Sequence, residues 1–248
     1  GHMPPSTTLE TFPEDGIARV LAVVAHPDDM EYGLSGVVHH WTSRGIEVAY
    51  LLLTHGEAGM QRDPALVGPL RAAEQRAACD AVGVDRLTLL NHPDGRLMPT
   101  LDLRRDIARV IRHRRPQVIV TLTHDESFAG GMTNQADHRA VGLAAIDAAR
   151  DAANRWIFRE LLEQEGLEPW GGITAVLSSA ANGPTHYVDV TGHLEPAIAS
   201  LEAHHLYNTN LPDDFPQPRD LVTGILTGTA AALAIEGVEH ALTFRRYL

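Results

Sequence analysis

The feature that most constrains this chain is an alternation. Short, almost wholly aliphatic runs, RVLAVVA (19–25), EVAYLLL (47–53), RLTLL (86–90) and QVIVTLT (117–123), are separated by stretches of helical spacing near 34–44, 69–82, 101–114 and 136–152. A strand that is aliphatic at nearly every position is covered on both faces. Strands that alternate with helices build a parallel sheet with right-handed crossovers. Further strands are predicted near 173–178 and 186–190, and further helices over 193–207 and 219–235. The class is therefore α/β, with a mostly parallel sheet. The Pro-rich NLPDDFPQPRD (210–220) reads as a loop that serves as a lid or a subunit contact. Gly1-His2-Met3 reads as an expression-tag remnant, and residues 4–248 as one domain.

Charge and cysteine content remove several function classes. With 20 Lys and Arg against 32 Asp and Glu the formal charge is −12, and RHRRP (112–116) is the one basic run. Nucleic acid, which needs a concentrated cationic surface, is not expected as a partner. That run fits a helix C-terminus answering its dipole. The lone Cys79 excludes an intrachain disulfide and a cysteine-based zinc framework, and its Ala-rich surroundings suggest a buried thiol. No apolar stretch approaches the ~18 residues of a membrane span. A cytoplasmic protein without a signal peptide is expected.

The segments just past the early strands are more informative. After the first come His26, Asp28 and Asp29; after the second Thr54, His55 and Glu57; after the third Asn91, His92 and Asp94; after the fourth His124, Asp125 and Glu126. In an open α/β sheet the carboxyl ends of parallel strands share one edge, and sites form there. A dinucleotide or phosphate site would need a glycine-rich turn after the first strand, whereas HPDDMEYG (26–33) is bulky and acidic. A divalent metal accounts for that turn better. An imidazole and a carboxylate three positions apart can reach one ion, and Asp137-His138, opening an Ala-rich helix, can supply a third ligand. Two nitrogens and one carboxylate leave a fourth position for water, as in hydrolytic zinc sites, and the spare aspartate is free to act as a base. Taken alone, His-Pro-Asp is also an ordinary turn in which Asp caps the next helix; the doubled aspartate and the distant Asp-His pair favour the metal.

In order, AHPDDMEYG, LLLTHGEAG, LRAAEQRAACDAVGV, LLNHPDG, ADHRAVG and VDVTGHLEPAIASLEAHH resemble the PIG-L/LmbE-like de-N-acetylases over about residues 18–207. That family includes deacetylases of N-acetylglucosaminyl-inositol compounds, mycothiol-conjugate amidases and antibiotic-tailoring deacetylases. The resemblance implies a Rossmann-like three-layer sandwich with its site at the C-terminal strand ends. It also implies one zinc ion (other divalent metals being chemically admissible) on His26, Asp29 and His138. Asp28 is then the base for a zinc-bound water that attacks an N-acyl group, most simply acetyl, on an amino-sugar-containing small molecule. The family often carries His-Pro-Asp-His where this chain reads QADH, so Gln135 holds the position of a histidine that assists the oxyanion or leaving group. An amide donates a hydrogen bond but delivers no proton. That leaves His124, His204 or Asp28 itself to protonate the amine, with Asp28 favoured. Arg71 and Asp94 align with residues that contact sugar hydroxyls, and His124 is placed with them at the substrate. Asp137 is expected to orient a ligand or cap its helix, and Glu57 to hold its loop. A thiol-conjugate amidase and a non-catalytic sugar- or partner-binding member are the alternatives, and a homo-oligomer is compatible with the Pro-rich loop.

Overall fold

A computed structural model describes residues 8–248; the expected tag remnant lies outside them. Eight strands form one sheet in the order β1-β7-β8-β6-β5-β2-β3-β4. They are β1 (Glu10–Thr11), β2 (Arg19–Val24), β3 (Glu47–Leu52), β4 (Arg86–Leu89), β5 (Val118–Leu122), β6 (Ala175–Ser179), β7 (His186–Asp189) and β8 (Ala241–Tyr247). All neighbours are parallel except the pairs that β8 makes with β6 and β7. The helices are α1 (Leu34–Thr42), α2 (Pro64–Ala81), α3 (Leu101–Arg114), α4 (Ala136–Asp151), α5 (Arg159–Glu163), α6 (Leu194–Glu202), α7 (His205–Thr209) and α8 (Pro218–Leu233). The α/β class with a mostly parallel sheet and helices on both sides is as expected.

The aliphatic runs are strands because both faces are buried. In β2, Val20, Ala22 and Val24 pack with α1, α6 and α8 on one side, while Leu21 and Val23 pack with α3 and α4 on the other. Successive side chains of a strand alternate faces, so two cores share one strand. The chain order along the sheet reverses between β5 and β2, which creates the crevice where open α/β sheets hold ligands.

Several boundaries differ from the sequence reading, each for a local reason. Helix α2 begins at Pro64 rather than 69: Asp63 caps it by accepting from the Ala65 N–H at 3.0 Å, and Pro64 fits the first turn. The segment 193–207 is two helices, broken at His204. Strands β1 and β8 and helix α5 are additions that the sequence pattern does not announce. β8 inserts antiparallel between β6 and β7, and its Arg245 and Arg246 break the aliphatic pattern. The Arg-rich run does end α3, where Arg112 folds back to donate to Ala152 O and Asn154 O. Cys79 is a buried thiol, which burial pushes up to about 12.

Candidate metal centre

The turn after β2 carries the site. Asp28 adopts φ 75, a left-handed conformation that an aspartate reaches at some cost. The adjacent Asp29 turns inward: Oδ2 accepts from the backbone N–H groups of Ala25 (3.1 Å) and His26 (2.8 Å), and Oδ1 lies 3.2 Å from His138 Nε2. Asp29 thus braces the turn and faces the distant helix with its other oxygen. His138 arrives from the first turn of α4, which rests directly on the end of β5. A Cβ at Gly142 would sit 2.7 Å from Leu122 O, so glycine is what permits that approach.

Each imidazole is tied on one side and directed at Asp29 on the other. His26 Nε2 is 2.7 Å from Asp137 Oδ2 and 3.0 Å from Asp94 Oδ1, while its Nδ1 is 3.4 Å from Asp29 Oδ2. His138 Nδ1 is 3.1 Å from Asn134 Oδ1, which leaves Nε2 for Asp29. Such outer partners fix ring orientation and tautomer, as they do around metal-bound histidines. One donor atom each from His26, Asp29 and His138 lies within 4.8 Å of the others, and all three side chains are buried. Two imidazoles and a carboxylate, so oriented, fit a divalent cation of the zinc type. His26, Asp94 and Asp137 also cluster, but there Asp137 accepts from the Gly95 and Leu97 N–H groups and so fastens the 91–97 loop behind His26.

Charges within the cluster are mutually adjusted. Burial would favour neutral groups, yet Asp29, Asp137 and Asp94 favour the charged form of His26, pushing it up to about 12, a positive charge that a bound cation would replace. Against the same burial, His26 and His138 keep Asp29 well below the carboxylate range. Asp28 behaves oppositely. Burial pushes its carboxyl up to about 7, with Arg71 pulling against it and Asp29 adding to it. Tyr32 donates from its hydroxyl to Asp28 Oδ2 at 3.2 Å, and Arg71 Nη2 stands 3.4 Å from the same oxygen. Two adjacent aspartates are thereby separated, one firmly ionised and one near neutrality, a division of labour typical of acid–base sites.

The other anticipated residues divide. Asp94 borders the cluster, with Oδ2 accepting from Ala58 N, while Glu57 accepts from Asp94 N and holds its loop. Gln135 stands exposed at the N-cap of α4 and makes no side-chain capping bond. Arg71 is buried rather than open to a sugar. It donates to Gly56 O and Pro27 O, and Gly56 and Gly59 make room for its guanidinium. His124 turns to Tyr247, 3.2 Å away, and stands outside the His26 cluster. His204 is fully buried and pairs with Glu31 at 2.9 Å, so it has no direct path to a leaving amine. Asn134, Gln75, Glu31, Tyr32 and Tyr207 belong to the site but escape a reading of the sequence. For Asn134 the available signal is its i, i+4 spacing from His138.

Residues 21–149 match the family described as PIG-L, GlcNAc-PI de-N-acetylase. The chain belongs to that family. Diacetylchitobiose deacetylase of Thermococcus kodakarensis is 29% identical over 205 residues, spanning 82% of this chain and 73% of the relative. Among solved structures, N,N'-diacetylchitobiose deacetylase of Pyrococcus horikoshii superposes with TM-score 0.82 at 22% identity, covering 95% of this chain and 85% of that one. GalB, the 4-carboxy-2-hydroxymuconate hydratase of Pseudomonas putida, superposes at TM-score 0.75 with 15% identity, covering 93% and 96%. The fold of this PIG-L member therefore carries more than one chemistry, and function has to be argued from the site. No helix among the described residues is long and apolar enough to cross a membrane.

Proposed function

We propose that this PIG-L member is a zinc-dependent N-deacetylase of an amino-sugar-containing small molecule, with His26, Asp29 and His138 as ligands and Asp28 as base. The observation that carries the reading is the pair of imidazoles, each tied outward and both aimed at Asp29, beside a second aspartate held near neutrality. The amino-sugar class rests on family membership and on the likeness to the Thermococcus diacetylchitobiose deacetylase. A divalent cation held by those three residues would supply an acidic water and a positive charge beside the developing oxyanion.

The chain's own groups account for the proton movements. With Oδ2 engaged by Tyr32 and Arg71, Oδ1 of Asp28 takes the proton of the attacking water as the new C–O bond forms. A carboxyl near 7 gives that proton up again. It passes to the nitrogen as the C–N bond breaks, so that acetic acid and a free amine leave, the acid proton of the product ending on the amine or in solvent. This cycle needs no proton from Gln135, whose exposed amide is suited to donating a hydrogen bond to the substrate. Tyr32 also lines a cavity of about 390 Å³ with His205, Asp213 and Phe215, offering room for the part of the substrate beyond the acetamido sugar.

The test is to strip the protein of metal, reload it with zinc, and follow acetate release from N-acetylglucosamine conjugates. Release that disappears on stripping and returns with zinc supports the hydrolase. Retained ligand binding with no turnover under any divalent metal favours the non-catalytic binder. A product amine arising only from thiol conjugates points to the amidase.

A further inference from the structure

Asp28 presents a problem that the residues around the cation do not solve. It is a non-glycine residue with φ 75, a left-handed conformation that an aspartate can adopt but that its surroundings have to hold. The surroundings here are two side chains one turn apart on α2. Arg71 Nη2 donates to Pro27 O at 2.9 Å, and Gln75 Oε1 accepts from the Asp28 N–H at 3.0 Å. The Pro27–Asp28 peptide unit is thus gripped by both its oxygen and its nitrogen, from one face of one helix.

The grip of Gln75 is itself directed. An amide can present either its oxygen or its nitrogen to a neighbour. The Gln75 Nε2 group donates to Glu31 Oε1 at 2.7 Å, and because a carboxylate only accepts, the amide oxygen must face Asp28. Glu31 Oε1 also receives His204 Nε2 at 2.9 Å, and Glu31 and His204 are both 0% exposed. Among the described residues, Glu31 Oε2 and His204 Nδ1 make no hydrogen bond. The same α6–α7 corner places Tyr207 over the Arg71 guanidinium at 4.0 Å, and α7 is anchored to α2 by the Leu206 and Tyr207 N–H groups on Glu74.

We infer that Gln75, Glu31 and His204 form a positioning relay that holds the Asp28 backbone in its left-handed conformation and so aims its carboxylate at the reacting water. The inference rests on the reading of Asp28 as the base. His204 acts in it through Glu31 and Gln75 and never touches substrate. The relay also connects the α6–α7 corner, whose His205 lines the cavity beside Tyr32, to the geometry of the base.

The test uses the zinc-loaded protein and two independent readouts, backbone amide exchange at Asp28 and steady-state deacetylation. Gln75→Met keeps the volume and removes the acceptor. Exchange at Asp28 should then accelerate at least about tenfold, and kcat should fall about 10- to 100-fold with KM within about twofold, as loss of alignment without loss of binding requires. Metal content should be unchanged, since no ligand is altered. His204→Leu should lower kcat in the same sense, and His204→Gln, which still offers an N–H to Glu31, should restore most of it. Unchanged exchange at Asp28 in Gln75→Met overturns the relay, and so does faster exchange with an unchanged kcat. If Gln75→Met does not fold, Gln75→Asn, whose amide stops one methylene short, is held to the same two results. A wild-type protein that binds zinc but releases no acetate defeats the proposed function instead, and leaves amide exchange to decide whether the clamp exists.

Discussion

Two groups of histidines in this chain show how little the residue type decides. His26 and His138 sit at the strand ends among Asp29, Asp94, Asp137 and Asn134, and every ring nitrogen faces an oxygen. His39, His40 and His193 gather where α1 meets the start of α6. There His39 Nδ1 lies 2.8 Å from His193 Nδ1, and His40 pairs with the Glu14 carboxylate at 2.9 Å. Burial lowers both His39 and His193, and the neighbouring His39 and His40 add to the lowering at His193. One group forms a candidate cation site, whereas the other packs two helices together. The difference lies in the carboxylates, which neutralise positive charge and fix which nitrogen is free.

The strongest way to break this contrast is to remove a ligand. His138→Ala should abolish metal retention and, with it, acetate release, as read by elemental analysis and a deacetylation assay on the same sample. Asp28→Ala should instead keep the metal and lower kcat by about 10²- to 10⁴-fold, the usual worth of a positioned general base. The two variants together separate holding the cation from using it. A full complement of metal in His138→Ala, or an undiminished rate in Asp28→Ala, removes the corresponding assignment.

Removing an outer partner should have a smaller effect. Asp137→Asn leaves all three ligands in place but replaces the carboxylate 2.7 Å from His26 Nε2 with an amide. Zinc affinity should weaken about 10- to 100-fold, measured by competition with a chromophoric chelator. His193→Gln, made at the other histidine group, should leave affinity unaltered. Equal behaviour of the two variants would mean that the outer carboxylates do not distinguish the groups.

Whether a feature is legible in the sequence depends on how far along the chain its causes lie. The alternation of buried strands and helices is local, so the central strands and the α/β class can be read, and HPDD can be placed at a strand end. The Asp-His pair opening α4 can be read too, because its residue types are rarely left unpaired in an Ala-rich helix. Which nitrogen of His26 is free cannot, since Asp137 lies 111 positions away. Arg71 illustrates the same limit: its place in the sequence is compatible with sugar contact, and the distant carbonyls of residues 27 and 56 together with the Tyr207 ring enclose it. Glu31 and His204 meet across 173 positions, so a buried hydrogen-bonded pair at the break between α6 and α7 looks, in the sequence, like an isolated histidine. β8 escapes because it is defined by strands placed long before it in the chain, not by its own pattern.

The smallest predicted effect sharpens the comparison through pH. At His204 burial disfavours the charged form, but Glu31 outweighs it and the folded-state pKa is raised. The folded protein then binds the proton more tightly than the unfolded chain. The stability this contributes is fully present below the unfolded imidazole value of about 6.5 and is lost as pH rises through the folded value. His193 has the opposite sign. Its lowered folded-state pKa means that the unfolded chain binds the proton more readily, so its contribution is present above about 6.5 and is lost as pH falls below it. Denaturant unfolding as a function of pH should therefore show His204→Gln flattening the decline toward alkaline pH and His193→Gln flattening the decline toward acid. Neither substitution should mimic the other. If both variants altered the same limb, the carboxylate beside His204 would not set its charge, and the distinction between histidines held by acids and histidines held by each other would fail at the group where burial is most complete.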